Sequence, residues 1–209
     1  MSRRAPGRRP ATNKTGPTKS GNQQLRIIAG EWRGRKLSFP AIEGLRPTPD
    51  RVRETLFNWI TAHVPGAKCL DLFTGSGALG LEALSRGAAQ ATMVDLSAIA
   101  TGQLQTNLQT LKAKNATVIQ ADVQHWLNRQ NDSQQYDLVF MDPPFRKDLA
   151  AACCEQLEAQ GLLSNRAMIY VETESELSVL QVPENWHLHR EKNAGQVTYR
   201  LYTREQTDA

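Results

Sequence analysis

Five short apolar runs, at 68–72, 90–95, 116–121, 136–141 and 167–173, constrain this chain most. Each is too short for a helix and rich in β-formers, so each reads as a buried strand. Between them lie stretches with helical character, Ala78–Arg86, Ser97–Lys112, Val123–Arg129 and Asp148–Gln160. Parallel strands need long crossovers, and helices supply them. Regular alternation of this kind predicts an α/β fold with a doubly wound, mostly parallel sheet. The end differs. Trp186–Lys192 and Gln196–Tyr202 flank Asn193-Ala194-Gly195, which predicts an antiparallel C-terminal hairpin closing the sheet.

Ahead of this alternation lies a smaller unit. Leu25–Ala29 and Lys36–Phe39 read as a β-hairpin, with Gly30 and Gly34 flanking Glu31-Trp32-Arg33 at a basic tip. Trp32 at that tip is a candidate partner contact, whereas Trp59, Trp126 and Trp186 are expected in or near the core. Thr48-Pro49-Asp50 reads as a helix start, with Thr48 as cap. Val52, Leu56, Trp59 and Ile60 then recur at helical spacing until Pro65-Gly66. Residues 1–22 hold almost nothing to bury and are expected to be a disordered basic tail. The division is therefore 1–22, a hairpin-and-helix extension at 23–64, and a main domain at 65–209.

Charge matters here by position. The formal net charge is +4, yet residues 1–53 carry 13 Lys/Arg against 3 Asp/Glu. Such asymmetry points to a polyanionic partner at the N-terminal end. Candidate contacts are Arg33, Arg35 and Lys36 on the hairpin, and Arg46, Arg51 and Arg53 around the helix start. Cations serve a helix N-terminus poorly but meet phosphate well. The three cysteines and four histidines form no ligand spacing, so no metal is expected. With no apolar signal core and no membrane-length run, a cytoplasmic protein is expected.

After the first strand comes Asp71-Leu72-Phe73-Thr74-Gly75-Ser76-Gly77-Ala78-Leu79-Gly80. Its G-x-G-x-x-G spacing, with Asp95 twenty residues beyond Gly75, matches a dinucleotide-binding fingerprint. A nicotinamide oxidoreductase thus competes. Charge argues against it. A pyrophosphate seeks positive potential, and Asp71 beneath the loop repels it. S-adenosylmethionine, with an ammonium and a sulfonium, is attracted instead. Phe73, Gly75, Ser76 and Gly77 would surround it, Asp95 would accept the ribose hydroxyls, and Asp122 the adenine amino group.

The fourth run ends in Asp142-Pro143-Pro144-Phe145. Two prolines cannot donate to a sheet ladder, so the strand stops there. A carboxylate, donor-free carbonyls and a ring then stand together at a strand's end, where open α/β sheets bind ligands. That corner suits a flat substrate bearing an NH2 group.

These two motifs resemble class I methyltransferases acting on amino nitrogens. Ile27–Arg35, Leu45–Asn58 and Gly80–Ala88 resemble, more narrowly, the RsmD family of bacterial 16S rRNA guanine-N2 methyltransferases. The likeness spans roughly residues 25–202. It implies a Rossmann-like, seven-stranded sheet with a small N-terminal β-hairpin. It also implies methyl transfer to N2 of one guanine in the small ribosomal subunit or its assembly intermediate, by a monomer. Asp142, Pro143, Pro144 and Phe145 become the expected catalytic residues. Asp142 and the Pro143 carbonyl would accept the two amino hydrogens, and Phe145 would stack on the base. A non-catalytic RNA-binding protein with a degenerate fold is the other alternative; intact Asp71, Asp95 and Asp142–Phe145 argue against it.

Overall fold

The computed structural model describes residues 23–42, 48–131, 134–145 and 148–205. The tail and Arg46 lie outside these residues. A two-stranded antiparallel sheet comes first, from β1 (Gln23–Arg26) and β2 (Lys36–Phe39). Helix α1 (Asp50–Trp59) and a 3-10 turn (Thr61–His63) lead into the main sheet. There β3 (Lys68–Leu72), α2 (Ala78–Ser85), β4 (Gln90–Asp95), α3 (Ala98–Leu111) and β5 (Ala116–Gln120) alternate. After them come α4 (Val123–Leu127), β6 (Tyr136–Met141), α5 (Leu149–Ala159), β7 (Leu163–Glu174), β8 (Trp186–Ala194) and β9 (Val197–Arg204).

The seven strands run in the order β5-β4-β3-β6-β7-β9-β8. Strands β3 to β7 are mutually parallel, and β9 joins β7 and β8 antiparallel. The doubly wound sheet and its closing hairpin are as expected. Gly195 turns the hairpin at φ 63. Chain order reverses between β3 and β6, and such a switch point opens a crevice at the carboxyl ends of the strands. The glycine loop follows β3 and the Asp-Pro-Pro-Phe turn follows β6, so both motifs flank that crevice.

One apolar cluster covers each face. Leu56, Phe57, Leu81, Met93, Leu104 and Phe140 belong to the first, together with Leu25, Ile27, Leu37 and Phe39 of the hairpin. Leu70, Leu72, Val139, Met141 and Leu157 belong to the second. Strands β3 and β6 feed both, which explains their unbroken apolar text. The extension therefore shares a core with the sheet. Phe57 lies 5.9 Å from the Phe140 ring, and Trp59 5.5 Å from Tyr199. Leu56, Phe57 and Ile60 are fully buried, each worth about 1.5–3 kcal/mol of apolar burial.

Beneath the extension sits a charged hub. Glu82, fully buried in α2, accepts the Ile28 and Ala29 amides at 2.9 and 3.0 Å and Arg86 Nε at 2.8 Å. It also meets Arg53 Nη1 at 3.4 Å. These bonds take Ile28 and Ala29 out of the strand ladder, so β1 ends at Arg26 rather than at Ala29. Arg53 corrects the sequence reading. Its side chain is fully buried, and Nη2 donates to Asp50 Oδ1 at 2.6 Å and to the Arg26 carbonyl at 2.9 Å. A cation so enclosed fastens α1 to α2 and cannot meet RNA. The missed signal was Glu82, the lone acid within the apolar text of α2.

The hairpin tip is pinned to the last residue of α2. Ser85 accepts the Glu31 amide through its carbonyl at 2.7 Å, and its hydroxyl accepts the Trp32 amide at 3.0 Å. Gly30 has φ 81, and a Cβ there would fall 1.7 Å from the Ser85 carbonyl oxygen. Only glycine fits both demands. Trp32 is half-buried against the first cluster. Trp59 and Trp126 are partly buried and Trp186 is buried, as expected. All three cysteines are free and buried, Cys69 under the first face, Cys153 and Cys154 under the second. Burial pushes the Cys69 and Cys153 thiols up to about 12, with nearby acids adding to it.

Thr48 is a second correction. The helix begins at Asp50 after an extended Pro49, whose carbonyl takes the first amides. Thr48 is buried, and its hydroxyl donates to Glu172 Oε1 at 3.1 Å. It secures the start of α1 to the end of β7.

Candidate active site

Between β3 and α2 the chain turns through left-handed conformations at Phe73 (φ 58), Gly75 (φ 52) and Gly77 (φ 77). The Thr74 amide donates to the Val94 carbonyl, holding the loop over β4. A Cβ on Gly77 would come within 2.5 Å of Leu104 Cδ1, so the turn and the packing both call for glycine. A Cβ on Gly80 would meet Met93 Sδ at 2.8 Å and Asp71 Oδ2 at 3.0 Å. Gly80 thus lets α2 lie against the end of β3. Phe73 is half-buried and Ser76 buried.

Under this loop is Asp71. One oxygen accepts Thr74 Oγ1 and the Gly80 amide, both at 2.8 Å. Burial raises its carboxyl to about 7 against the pull of those two bonds, and Asp95 adds to the rise. Asp95 ends β4, accepting the Gly75 amide at 2.8 Å through Oδ2 and the Ser97 amide at 2.8 Å through Oδ1. It ties the glycine loop to the start of α3.

Asp142 follows β6 and is half-buried, Pro143 is buried, and Pro144 and Phe145 are exposed, Phe145 by 38%. Burial raises the Asp142 carboxyl well above the usual range, with Glu172 and Asp71 contributing. Sequence reasoning missed Glu172. It is 4% exposed on β7, accepts Tyr170 Oη at 2.8 Å and Thr48 Oγ1, and is itself raised by burial. Its signal was an acid closing an otherwise apolar run.

Strand alternation sets the arrangement. Phe140 and Tyr170 are register partners, as are Asp71 and Phe140 and Asp71 and Met93. Side chains two residues apart share a face. Asp95, Asp71, Asp142 and Glu172 therefore form a row across four adjacent strands, all on the face bearing α1 to α3. Among the described residues no Lys, Arg or His is ion-paired to any of the four. Asp122, expected at the next strand end, does follow β5 beside the strand that ends in Asp95. Asp122 is exposed at the end of β5, where its side chain caps α4 by accepting the His125 amide at 2.9 Å.

The remaining cations divide by location. Arg51 is exposed in the first turn of α1, three residues after Thr48. Arg33, Arg35 and Lys36 are exposed on the hairpin, whose tip rests on the far end of α2. An eight-residue helix separates them from the glycine loop by about 12 Å. A cavity of about 180 Å3 flanks the motif, lined by Pro143, Pro144, Glu172, Thr173, Leu177 and Leu180 among others. A larger one, about 360 Å3, lies at the opposite ends of the strands, around Thr92, Asn115, Trp126 and Tyr136. It contains none of the four acids, whereas Glu172 lines the smaller one beside the two prolines.

Four carboxyls with no ion-paired cation among the described residues fit a cationic ligand with hydroxyls to donate and oppose a pyrophosphate. The amino terminus of α2 still faces the crevice and suits a ligand carboxylate. S-adenosylmethionine has all of these groups. Comparison with known proteins agrees. Residues 25–203 match the family described as conserved hypothetical protein 95. The chain is 53% identical over 189 residues to ribosomal RNA small subunit methyltransferase D of Escherichia coli, covering 90% of this chain and 94% of that protein. The Haemophilus influenzae protein of the same name is 46% identical over 187 residues, with coverage of 88% and 96%. A solved structure, the putative methyltransferase yhhF from Escherichia coli, superposes with a TM-score of 0.82 at 54% identity. It covers 88% of this chain and 99% of its own.

Proposed function

This chain belongs to the conserved hypothetical protein 95 family, the RsmD methyltransferases, and from that premise we propose that it methylates the exocyclic N2 of a guanine in 16S rRNA. The carrying observation is the row of acids ending at Asp142, set where the glycine loop and the Asp-Pro-Pro-Phe turn meet. When bound, S-adenosylmethionine supplies an electrophilic methyl group on a cationic sulfur.

The protein's part is positioning and charge. Asp71 and Asp95 hold the donor's polar groups through the loop they organise. Guanine N2 is a weak nucleophile because its lone pair is delocalised into the ring. The Asp142 carboxylate accepts one of its hydrogens and the Pro143 carbonyl the other, which frees the lone pair for in-line attack. Alignment of this kind supplies much of a methyl transfer's acceleration. Asp142 also favours the positive charge that develops on nitrogen. Phe145, exposed beside the cavity, stacks on the base once it has left its surroundings.

RNA is gripped at two distances. Arg51 lies near the reacting base, with Arg46 close to it in sequence. Arg33, Arg35 and Lys36 reach phosphates further along, and the tail cations add to the electrostatic attraction. Small ribosomal subunits or their assembly intermediates are the substrate, which places the reaction in the cytoplasm. No described helix is long and apolar enough to cross a membrane.

The test is transfer of tritiated methyl from S-adenosylmethionine to small subunits lacking the modification, followed by nuclease mapping. Label recovered as N2-methylguanosine in 16S rRNA is expected. Label on another base, or none, would overturn the proposal. Removing residues 1–22 should weaken binding and flatten its salt dependence.

A further inference from the structure

The methyl-transfer function leaves one buried acid without a role. Glu172 lies on β7 beside β6, and the register pairs Phe140 with Tyr170 and Met141 with Val171. One step further sets Asp142 beside Glu172 on the same face. Two neighbouring carboxyls do not both ionise readily. Asp71 approaches from β3, and Tyr199 on β9 is the register partner of Glu172. Tyr170 and Thr48 each donate a hydroxyl to Glu172 Oε1. Helix α1 covers this face, but its buried cation, Arg53, is turned to Glu82 and Asp50. Two donors favour the ionised form of Glu172, which leaves the proton on Asp142.

Resting on the methyl-transfer reading, we propose that Asp142 and Glu172 share one proton, release it when the cationic methyl donor binds, and recover one from the substrate amine. A positive charge entering the crevice replaces the proton electrostatically and leaves both acids ionised. During transfer the amine lone pair forms the new N–C bond, and the C–S bonding pair passes to sulfur. The nitrogen now carries the positive charge and an excess proton. Asp142 takes that proton, which restores the pair. Overall, a cationic donor and an amine give a neutral thioether, a methylated amine and one proton. That proton has already left at the binding step. Glu172 is a positioning residue here, acting through Asp142.

Calorimetric titration at neutral pH, in buffers of differing ionisation enthalpy, tests this with no RNA present. S-adenosylmethionine should release about one proton more than S-adenosylhomocysteine, which differs by the methyl and its charge. Equal proton counts would overturn the proposal. Glu172→Gln removes the like charge, so the difference should shrink toward zero and the acid limb of kcat/KM should move to lower pH. Tyr170→Phe removes a donor to Glu172 and should move that limb to higher pH. If both folded variants leave the limb in place, Glu172 has no part in the pair. Failure of the functional reading looks different: subunits would take no label while the proton difference persisted.

Discussion

Two clusters of buried charge lie on the same face of this sheet, and they are built on opposite rules. Around Glu82, acids meet cations: Arg53 and Arg86 surround it, Asp50 holds the other side of Arg53, and two backbone amides complete the set. Around Asp142, acids meet acids, with Glu172 and Asp71 beside it and no ion-paired Lys, Arg or His among the described residues. The first cluster joins elements of the unliganded fold. The second gathers acids that raise one another's proton affinity. Buried groups left in that state mark functional sites more often than scaffolding.

Substitutions can break this division. The largest effect belongs to Asp142→Ala, which should lower methyl transfer by roughly 10²–10⁴-fold, the usual range for a lost acid–base group. Calorimetry should still find cofactor bound. Full turnover in this variant would remove Asp142 from the chemistry. Glu82→Ala should act the other way, lowering unfolding free energy by about 3–5 kcal/mol, because Arg53 keeps only Asp50 of its two acids and the Ile28 and Ala29 amides lose their acceptor. Denaturant melts measure this; unchanged stability with lost activity would erase the contrast between the clusters.

A pH series sharpens it. Burial raises the folded-state Asp71 carboxyl to about 7 from its ordinary 3.8, so the folded state holds the proton more tightly. Its contribution to stability is present at acid pH and is lost as pH rises from about 4 through about 7. Each tenfold gain in proton affinity on folding is worth about 1.4 kcal/mol. Unliganded Asp71→Asn should lose this slope, whereas the slope should survive Glu82→Gln if that variant folds. The smallest effect is that of Asp95→Ala. Loss of hydroxyl and loop contacts should weaken S-adenosylmethionine binding by roughly 10–100-fold, as for a hydrogen bond to a charged group. Catalysis at saturating cofactor should recover in large part.

Much of this was legible in the sequence because strand ends announce themselves. Short apolar runs closed by Asp71, Asp95 and Asp142 located the crevice, and the two prolines after Asp142 marked the turn. The misses share one cause: each depends on which strand or helix lies alongside. Glu172 closes an apolar run like any strand-end acid, and its meaning rests on β7 pairing with β6. Thr48 has the local pattern of a cap, and only the fold brings Glu172 within its reach. Arg53 falls among exposed arginines in the sequence, yet it shares the helical stripe of Leu56 and Phe57. Asp122 met the same strand-end rule and does end β5, but as part of an edge strand it stays exposed and also caps the short α4.

The cysteines have a use unrelated to chemistry at the site. Cys69 lies under the face covered by the extension, and Cys153 and Cys154 on the side of α5 packed against the other face. Sealed thiols react with a soluble reagent only when their cover lifts. Variants retaining a single cysteine would then time the opening of each face separately. They would record whether the extension detaches from the sheet before the sheet itself comes apart.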